Sequence, residues 1–287
     1  MRVLILGKDG MLGNITYHYF KENGYDVCGS SREKGSEFYF DVCEGMELFE
    51  KMIENGKFDV VINCIGVLND FAEKNKSLAV LLNSYFPHYV NELSSKYSFK
   101  FIHISTDCVF SGKEGNYYED SLRDAYTFYG RTKALGEIES NENSLTIRTS
   151  IVGPNTNKDG IDLFSWYCKQ SGNIHGYRKV FWTGVTTLQC AKCMMHAIEN
   201  NLSGLIHAVN GEAIDKYSLL KLFQKFFNRD VNIIENDEMM SNKTLMLSER
   251  GKDFCVPSYE TMIEEMHLWV LNHKELYNHL FVDGEFA

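Results

Sequence analysis

The feature that most narrows the fold is an alternation of period through the first half of the chain. Residues 2–6 form a short apolar run that ends at Gly7. Residues 11–23 then carry helical spacing and stop at Gly24, a residue suited to a helix C-terminus. The same exchange recurs: strands are expected at 25–29, 60–65, 101–105 and 145–149, and helices at 46–55, 78–95 and 129–139. Short apolar strands separated by amphipathic helices imply a parallel sheet covered on both faces, because parallel neighbours need long crossover connections. Those crossovers should be right-handed.

After Ser150 the pattern changes. Residues 151–183 are aromatic and read as irregular, with Phe164, Trp166, Tyr167, Tyr177, Phe181 and Trp182. Helical periodicity returns at 188–199, and 205–209 reads as one more strand. The remainder reads as mostly helical, with acidic clusters near 235–238 and 260–265. The expected architecture is therefore α/β: a Rossmann-type doubly wound parallel sheet with a smaller, mostly helical C-terminal lobe. In that division residues 1–150 and about 184–212 bind a dinucleotide. Residues 151–183 and 213–287 form a substrate-binding lobe over the C-terminal edge of the sheet.

Charge and cysteine usage narrow the partners. Lys plus Arg (29) against Asp plus Glu (39) leaves a net charge of −10, so bulk electrostatics gives a nucleic-acid partner no support. A phosphorylated ligand is still compatible, since it needs only a local nest of backbone N–H groups. No stretch approaches the roughly 18 apolar residues of a membrane span, and the N-terminal apolar run is too short for a signal peptide. A cytoplasmic location without membrane contact is expected. The eight cysteines form no disulfide framework and read as reduced, buried thiols.

The loop Gly7-Lys8-Asp9-Gly10-Met11-Leu12-Gly13 follows a strand and opens a helix. Its first glycine permits a tight turn, its second lets backbone approach a pyrophosphate at the helix N-terminus, and its third allows close helix–sheet packing. The pyrophosphate of a nicotinamide dinucleotide is the expected occupant. At the end of the second strand the chain reads Gly29-Ser30-Ser31-Arg32, with no carboxylate before Glu33. Two hydroxyls and a guanidinium suit the 2′-phosphate of NADPH better than the free ribose of NADH, which is the alternative.

The strongest chemical signal is Tyr129-Gly130-Arg131-Thr132-Lys133. Tyr and Lys at i and i+4 share one helix face. An ammonium held beside a phenol favours the phenolate, bringing its proton exchange toward neutral pH. A second piece, Ile104-Ser105-Thr106-Asp107, lies at a strand end, where the Thr106 hydroxyl could hold the same substrate oxygen.

The strings Ser105-Thr106-Asp107-Cys108-Val109-Phe110-Ser111-Gly112 and Tyr129-Gly130-Arg131-Thr132-Lys133-Ala134-Leu135-Gly136-Glu137 resemble the dTDP-4-dehydrorhamnose reductase family of extended short-chain dehydrogenases. Gly10-Met11-Leu12-Gly13 and Leu145-Thr146-Ile147-Arg148-Thr149-Ser150 are similar to that family's cofactor loop and late strand. The resemblance covers residues 1–155 well and the rest by general layout. It implies reduction of a nucleoside-diphosphate 4-keto sugar by NADPH, with Thr106, Tyr129 and Lys133 as catalytic group. It further implies Asp41 and Val42 beside the adenine, and Cys64, Ile65 and Gly66 along the nicotinamide ribose. Asn83 would support Lys133 through a water, and Asp107, Val109, Phe110 and Trp182 would join Thr106 and Tyr129 around the substrate. A homodimer is a family-level expectation, and no metal ligands are carried over.

Two departures leave the sugar open. The family's proline before its catalytic Tyr is missing from Asp124-Ala125-Tyr126-Thr127-Phe128, and its Gly-x-Pro-Thr stretch reads Gly184-Val185-Thr186-Thr187. Three rival functions remain: an epimerase or dehydratase that retains NAD, a hydroxysteroid or other small-ketone reductase on fold alone, and a non-catalytic NADP-binding regulatory subunit. Among weaker signals, Cys190 and Cys193 read as a buried helix face, because three ligands with His196 would not close a zinc site. Trp166, Tyr167, Phe181 and Trp182 fit either a base-stacking surface or the lobe's own core, and Arg178 and Lys179 either a diphosphate contact or a solvated pair.

Overall fold

The computed structural model describes residues 1–36, 38–282 and 285–286. Its elements run β1 (Arg2–Leu6), α1 (Met11–Glu22), β2 (Asp26–Ser31), β3 (Phe38–Tyr39), α2 (Met46–Gly56), β4 (Val60–Asn63), α3 (Asn69–Lys74), α4 (Lys76–Val80) and α5 (Phe86–Tyr97). There follow β5 (Lys100–Thr106), α6 (Phe128–Leu135), β6 (Ser144–Thr149), β7 (Ile151–Val152), α7 (Leu163–Cys168), β8 (Gly172–Trp182), β9 (Val185–Thr186), α8 (Thr187–Glu199) and β10 (Gly204–His207). The chain continues through β11 (Ile214–Asp215), α9 (Lys216–Phe227), β12 (Val231–Asn242), α10 (Glu249–Lys252) and α11 (Tyr259–Asn272).

Alternation along the strands builds the layers. In β1, Val3 and Ile5 face one core together with residues of α1 and α8, while Leu4 and Leu6 face the other with Phe49 of α2 and Phe86 of α5. Val60 and Ile62 divide from Val61 in the same way, and Ile102 from Phe101. Each such side chain, removed from water, stabilises by roughly 1.5–3 kcal/mol. A sheet buried on both faces must be reached by crossovers, and all seven strands pair in parallel in the order β10-β6-β5-β4-β1-β2-β3. Strand order reverses between β1 and β4, and the crevice outside their carboxyl ends is where such sheets bind ligands.

The doubly wound sheet matches expectation; the later segments depart from it. Residues 151–183 are not irregular, for they contain α7 and the long strand β8. Helices predominate beyond residue 213, but β12 interrupts them and pairs in parallel with β8, completing a small sheet β11-β8-β12. The helix expected over 78–95 is broken by a π-helical turn at Leu81–Tyr85. Pro87 has no N–H to give the carbonyl of Asn83 four residues earlier, which accounts for the widened turn there. The helix expected over 129–139 stops at Leu135. Among the described residues no helix is long and apolar enough to cross a membrane.

Candidate active site

The glycine loop is shaped as a cradle. Gly7 adopts φ +78°, in the region that favours glycine, and its carbonyl accepts from Gly10 N–H at 3.0 Å. A Cβ on Gly13 would stand 2.1 Å from that same carbonyl oxygen, so α1 can approach the loop only with glycine here. Gly10 caps α1 with no side-chain bond, leaving the first-turn N–H groups of Met11, Leu12 and Gly13 for an anion. The cradle fits a dinucleotide pyrophosphate. Ile65 packs on Gly7, and Cys64 to Gly66 continue from β4, the strand beside β1.

The second-strand residues divide. Ser30 is buried and its Oγ accepts from Gly7 N–H at 3.2 Å; Ser31 is buried and bonds the Asp9 carboxylate. Both hydroxyls brace the loop, which leaves Arg32, exposed at the strand end, as the group open to a phosphate. Asp41 accepts from Cys43 N–H at 2.9 Å, and Val42 is buried.

Tyr129 and Lys133 lie one turn apart on α6. Thr127 caps that helix by accepting from Gly130 N–H at 3.1 Å. A Cβ on Gly130 would meet the Cys108 carbonyl at 2.1 Å, so the glycine inside the motif lets α6 lie against the end of β5. The phenol of Tyr129 is consequently brought to Thr106. Burial raises it well above its ordinary value, Cys108 and Asp107 push the same way, and the Thr106 hydrogen bond pulls it back in part. Thr106 also accepts from Cys108 N–H at 3.2 Å.

Lys133 is held from the sheet side. Its Nζ donates to the Ile104 carbonyl at 2.6 Å and lies 3.3 Å from His103 Nε2. Burial pulls its ammonium down to about 8, against a partial pull upward from Glu137. Among the described residues Asn83 makes its direct hydrogen bonds elsewhere. Its Oδ1 accepts from Val67 N–H at 2.9 Å, and its Nδ2 donates to the Val67 carbonyl at 3.0 Å and Thr132 Oγ1 at 3.2 Å. It clamps the loop after Gly66 to the helix that carries Lys133.

Of the expected substrate contacts, Thr106, Asp107 and Tyr129 gather at the end of β5, whereas Val109 and Phe110 do not present side chains. Both are closed into a cluster with Tyr117, Val209 and Leu245, and Phe110 stacks on Tyr117 with ring centroids 4.1 Å apart. Trp182 is buried, yet its indole Nε1 has no hydrogen-bond partner among the described residues. Tyr167 belongs to the core, while Trp166 and Phe181 are exposed. Arg178 and Lys179 pair with Glu235 and Asp237 across β8 and β12. Cys190 and Cys193 are buried on α8.

The model of the family described as the RmlD substrate binding domain matches residues 1–243. The chain belongs to that family of sugar-nucleotide reductases. Its relatives point in two directions. Methionine adenosyltransferase 2 subunit beta from Xenopus tropicalis is 26% identical over 242 residues, 79% of this chain and 72% of that protein. The probable low-salt glycan biosynthesis reductase Agl14 from Haloferax volcanii is 23% identical over 254 residues, 83% of this chain and 84% of its own. A crystal structure of dTDP-4-dehydrorhamnose reductase from Bacillus anthracis in complex with NADP superposes with a TM-score of 0.79. It covers 93% of this chain and 99% of its own, at 20% identity, a likeness of fold.

Three features of this RmlD-family site escaped the sequence reading. Lys216 opens α9, where its charge opposes the positive helix end, and that misfit was a legible signal. Its ammonium lies 4.8 Å over the Trp182 ring, and burial pulls it down to about 8 against the attraction of Asp107. Lys243, beyond β12, donates to Cys108 Sγ at 3.5 Å. The third feature is a buried ion network. Arg148, fully buried, grips Glu137 at 2.7 and 2.8 Å, and Glu137 also accepts from Ser105 at 2.6 Å and from Arg123 at 2.8 Å. Ser105 precedes Thr106, so the network anchors the strand end from beneath.

Proposed function

We propose that the chain reduces the 4-keto group of a nucleoside-diphosphate 4-keto-6-deoxy sugar, of the dTDP-4-dehydrorhamnose kind, with NADPH. The observation that carries this reading is the buried phenol of Tyr129, one turn from Lys133 on a helix that Gly130 lets lie against the end of β5, where Thr106 stands. Residues 1–150 and about 184–212 hold the dinucleotide, and 151–183 with 213–287 cover the sugar nucleotide. The family supports a sugar-nucleotide reductase, and the NADP-bound structural relative supports a nicotinamide cofactor.

Gly7, Gly10, Met11, Leu12 and Gly13 take the pyrophosphate, Asp41 and Val42 the adenine side, and Cys64, Ile65, Gly66 and Lys133 the nicotinamide ribose. With Ser30 and Ser31 committed to the loop, Arg32 is what favours NADPH over NADH. The cofactor, when bound, supplies the hydride. Burial keeps the Tyr129 phenol protonated at neutral pH, which suits a group that gives its proton to an alkoxide developing on the sugar. Thr106 orients the carbonyl. Lys216 and Lys243 bring positive charge to the Asp107–Cys108 end of the cleft, opposite in sign to a diphosphate. Positioning and fixed charge, rather than a covalent intermediate, supply the rate.

The similarity to an adenosyltransferase subunit favours a second reading, a non-catalytic cofactor-binding subunit. One experiment separates them: loss of NADPH absorbance with enzymatically generated dTDP- and UDP-linked 4-keto-6-deoxy sugars, beside Tyr129→Phe. The reductase reading expects wild-type turnover and a fall of about 10²–10⁴-fold in the variant with NADPH binding retained. Tight NADPH binding without turnover on any keto sugar supports the subunit instead. Stoichiometric NADP⁺ release argues against an epimerase or dehydratase.

A further inference from the structure

The side chains that hold Lys133 form a chain in which the hydrogens can be counted. Ile65 N–H donates to Asn63 Oδ1 at 3.0 Å. A backbone amide only donates, so Oδ1 is fixed as the acceptor, and Asn63 must turn its NH₂ toward His103 Nδ1, 3.2 Å away. Nδ1 therefore accepts. A neutral imidazole with an accepting Nδ1 carries its hydrogen on Nε2, and Nε2 is the atom 3.3 Å from Lys133 Nζ. Burial and the lysine both hold His103 in its neutral form.

An imidazole N–H opposite an ammonium sets two donors against each other, in a place where both residues are buried. Opposite a neutral amine the same N–H finds a lone pair. The Ile104 carbonyl, at 2.6 Å, serves either form of the lysine. The strand register makes the arrangement inevitable, since Asn63 of β4 and His103 of β5 are paired positions on adjacent strands.

We propose that Asn63 and His103 are positioning residues that present an imidazole N–H to Lys133, favour its neutral amine before cofactor arrives, and so couple nicotinamide-cofactor binding to uptake of a proton from solvent. This rests on the proposed role of Lys133 at the nicotinamide ribose. An anionic cofactor with ribose hydroxyls to be bonded favours the three-donor ammonium, whereas the protein alone shifts the balance toward the amine, which becomes the larger fraction above about pH 8.

The other groups around the pair do not reverse this. Just beyond β4, Cys64 is a neutral thiol pushed up to about 12 by burial. From α6, Glu137 raises Lys133, but its carboxylate is engaged by Arg148, Arg123 and Ser105. From α5, His88 acts on His103 and disfavours a second positive charge. Burial already brings Lys133 down to about 8, and the hydrogen count pulls in the same direction.

The test uses full-length protein with selectively ¹⁵N/¹³C-labelled histidine, the His103 signal being assigned by its loss in His103→Gln. Without cofactor, wild type should show the Nε2–H tautomer. In Asn63→Asp one carboxylate oxygen keeps Ile65 N–H while the other accepts Nδ1–H, so the signal should switch to Nδ1–H. Calorimetric titration with NADPH near pH ~8.5, in two buffers of different ionisation enthalpy, should show proton uptake that falls about twofold or more in Asn63→Asp and in His103→Phe. An Nδ1–H tautomer in wild type overturns the proposal, and so does equal proton uptake in wild type and a folded variant. Failure to bind NADPH at all would instead count against the cofactor reading above, while the tautomer still decides the hydrogen-bond chain.

Discussion

Lys133 and Lys216 are two lysines drawn from opposite sides of the cleft, and burial pulls each down to about 8. Their surroundings are opposite. Lys133 has permanent partners, the Ile104 carbonyl and His103, on an element locked to the sheet through Gly130 and Asn83. Lys216 has the face of Trp182 and the distant charge of Asp107, and among the described residues it makes no hydrogen bond or ion pair. A desolvated amine with fixed neighbours is built into its element. One left without an anion, at a helix end that disfavours it, is placed for a partner that arrives. On the proposed function the first serves the chemistry and the second recognition.

The sharpest way to break that contrast is to remove each amine in turn. Lys133→Met should lower kcat by about 10²–10⁴-fold on a 4-keto sugar nucleotide. Lys216→Met should leave kcat within a few-fold and raise KM by about 10–100-fold, the worth of one charge-assisted contact to a phosphate. Equal losses of kcat in both would place the two lysines in one role and end the distinction.

A smaller effect separates them from the solvent side. Each lysine ordinarily titrates at 10.5, so between pH 8 and 10.5 the unfolded chain binds more protons than the folded one. Stability contributed through these groups therefore rises with pH across that window, and their penalty is full below it. Lys216→Met lacks the penalty, so it should exceed wild type by about 1 kcal/mol near neutral pH, and lose that advantage as pH approaches 10.5. The comparison must be made as a difference between the two proteins. Buried thiols such as Cys64 and Cys108, held above their ordinary range, lose stability in the opposite direction as pH rises. A constant difference across the window would show that Lys216 is not desolvated.

How much of this was legible follows the same division. Strands β1, β2, β4, β5 and β6 were readable because short runs rich in apolar residues alternate with helical spacing, whereas the two residues of β3 are too few to carry a period; Tyr129, Lys133 and Thr106 could be read because each sits in a short local motif. β12 was not readable. Only Val231 and Ile233 of its twelve residues are buried, so its outer length, Glu235 to Asn242, carries no period of two, and its pairing depends on β8 nearly sixty residues earlier. His103 drew no reading from the sequence, being one polar residue within a strand. Its partner Asn63 became visible only when strand register set them side by side. Val109 and Phe110 failed for a related reason: motif position places a residue near a site, but only packing decides whether its side chain faces it.

The smallest expected effect concerns the basic pair that the sequence offered for a diphosphate. Arg178 and Lys179 lie on β8, and Lys216 opens α9 directly after β11, the strand that pairs with β8, so proximity alone does not separate the candidates. Their partners do. Arg178 meets Glu235 at 2.6 Å and Lys179 lies 3.5 Å from Asp237, all four side chains about half exposed. Their charge is already balanced by acids on the neighbouring strand and screened by water, and pairs of this kind hold little energy to give a ligand. Arg178→Ala with Lys179→Ala should change KM for the sugar nucleotide by less than about twofold, with a thermal melt close to wild type. A tenfold rise in KM from that double variant, matching Lys216→Met, would move the anion site out of the cleft and onto the surface of β8.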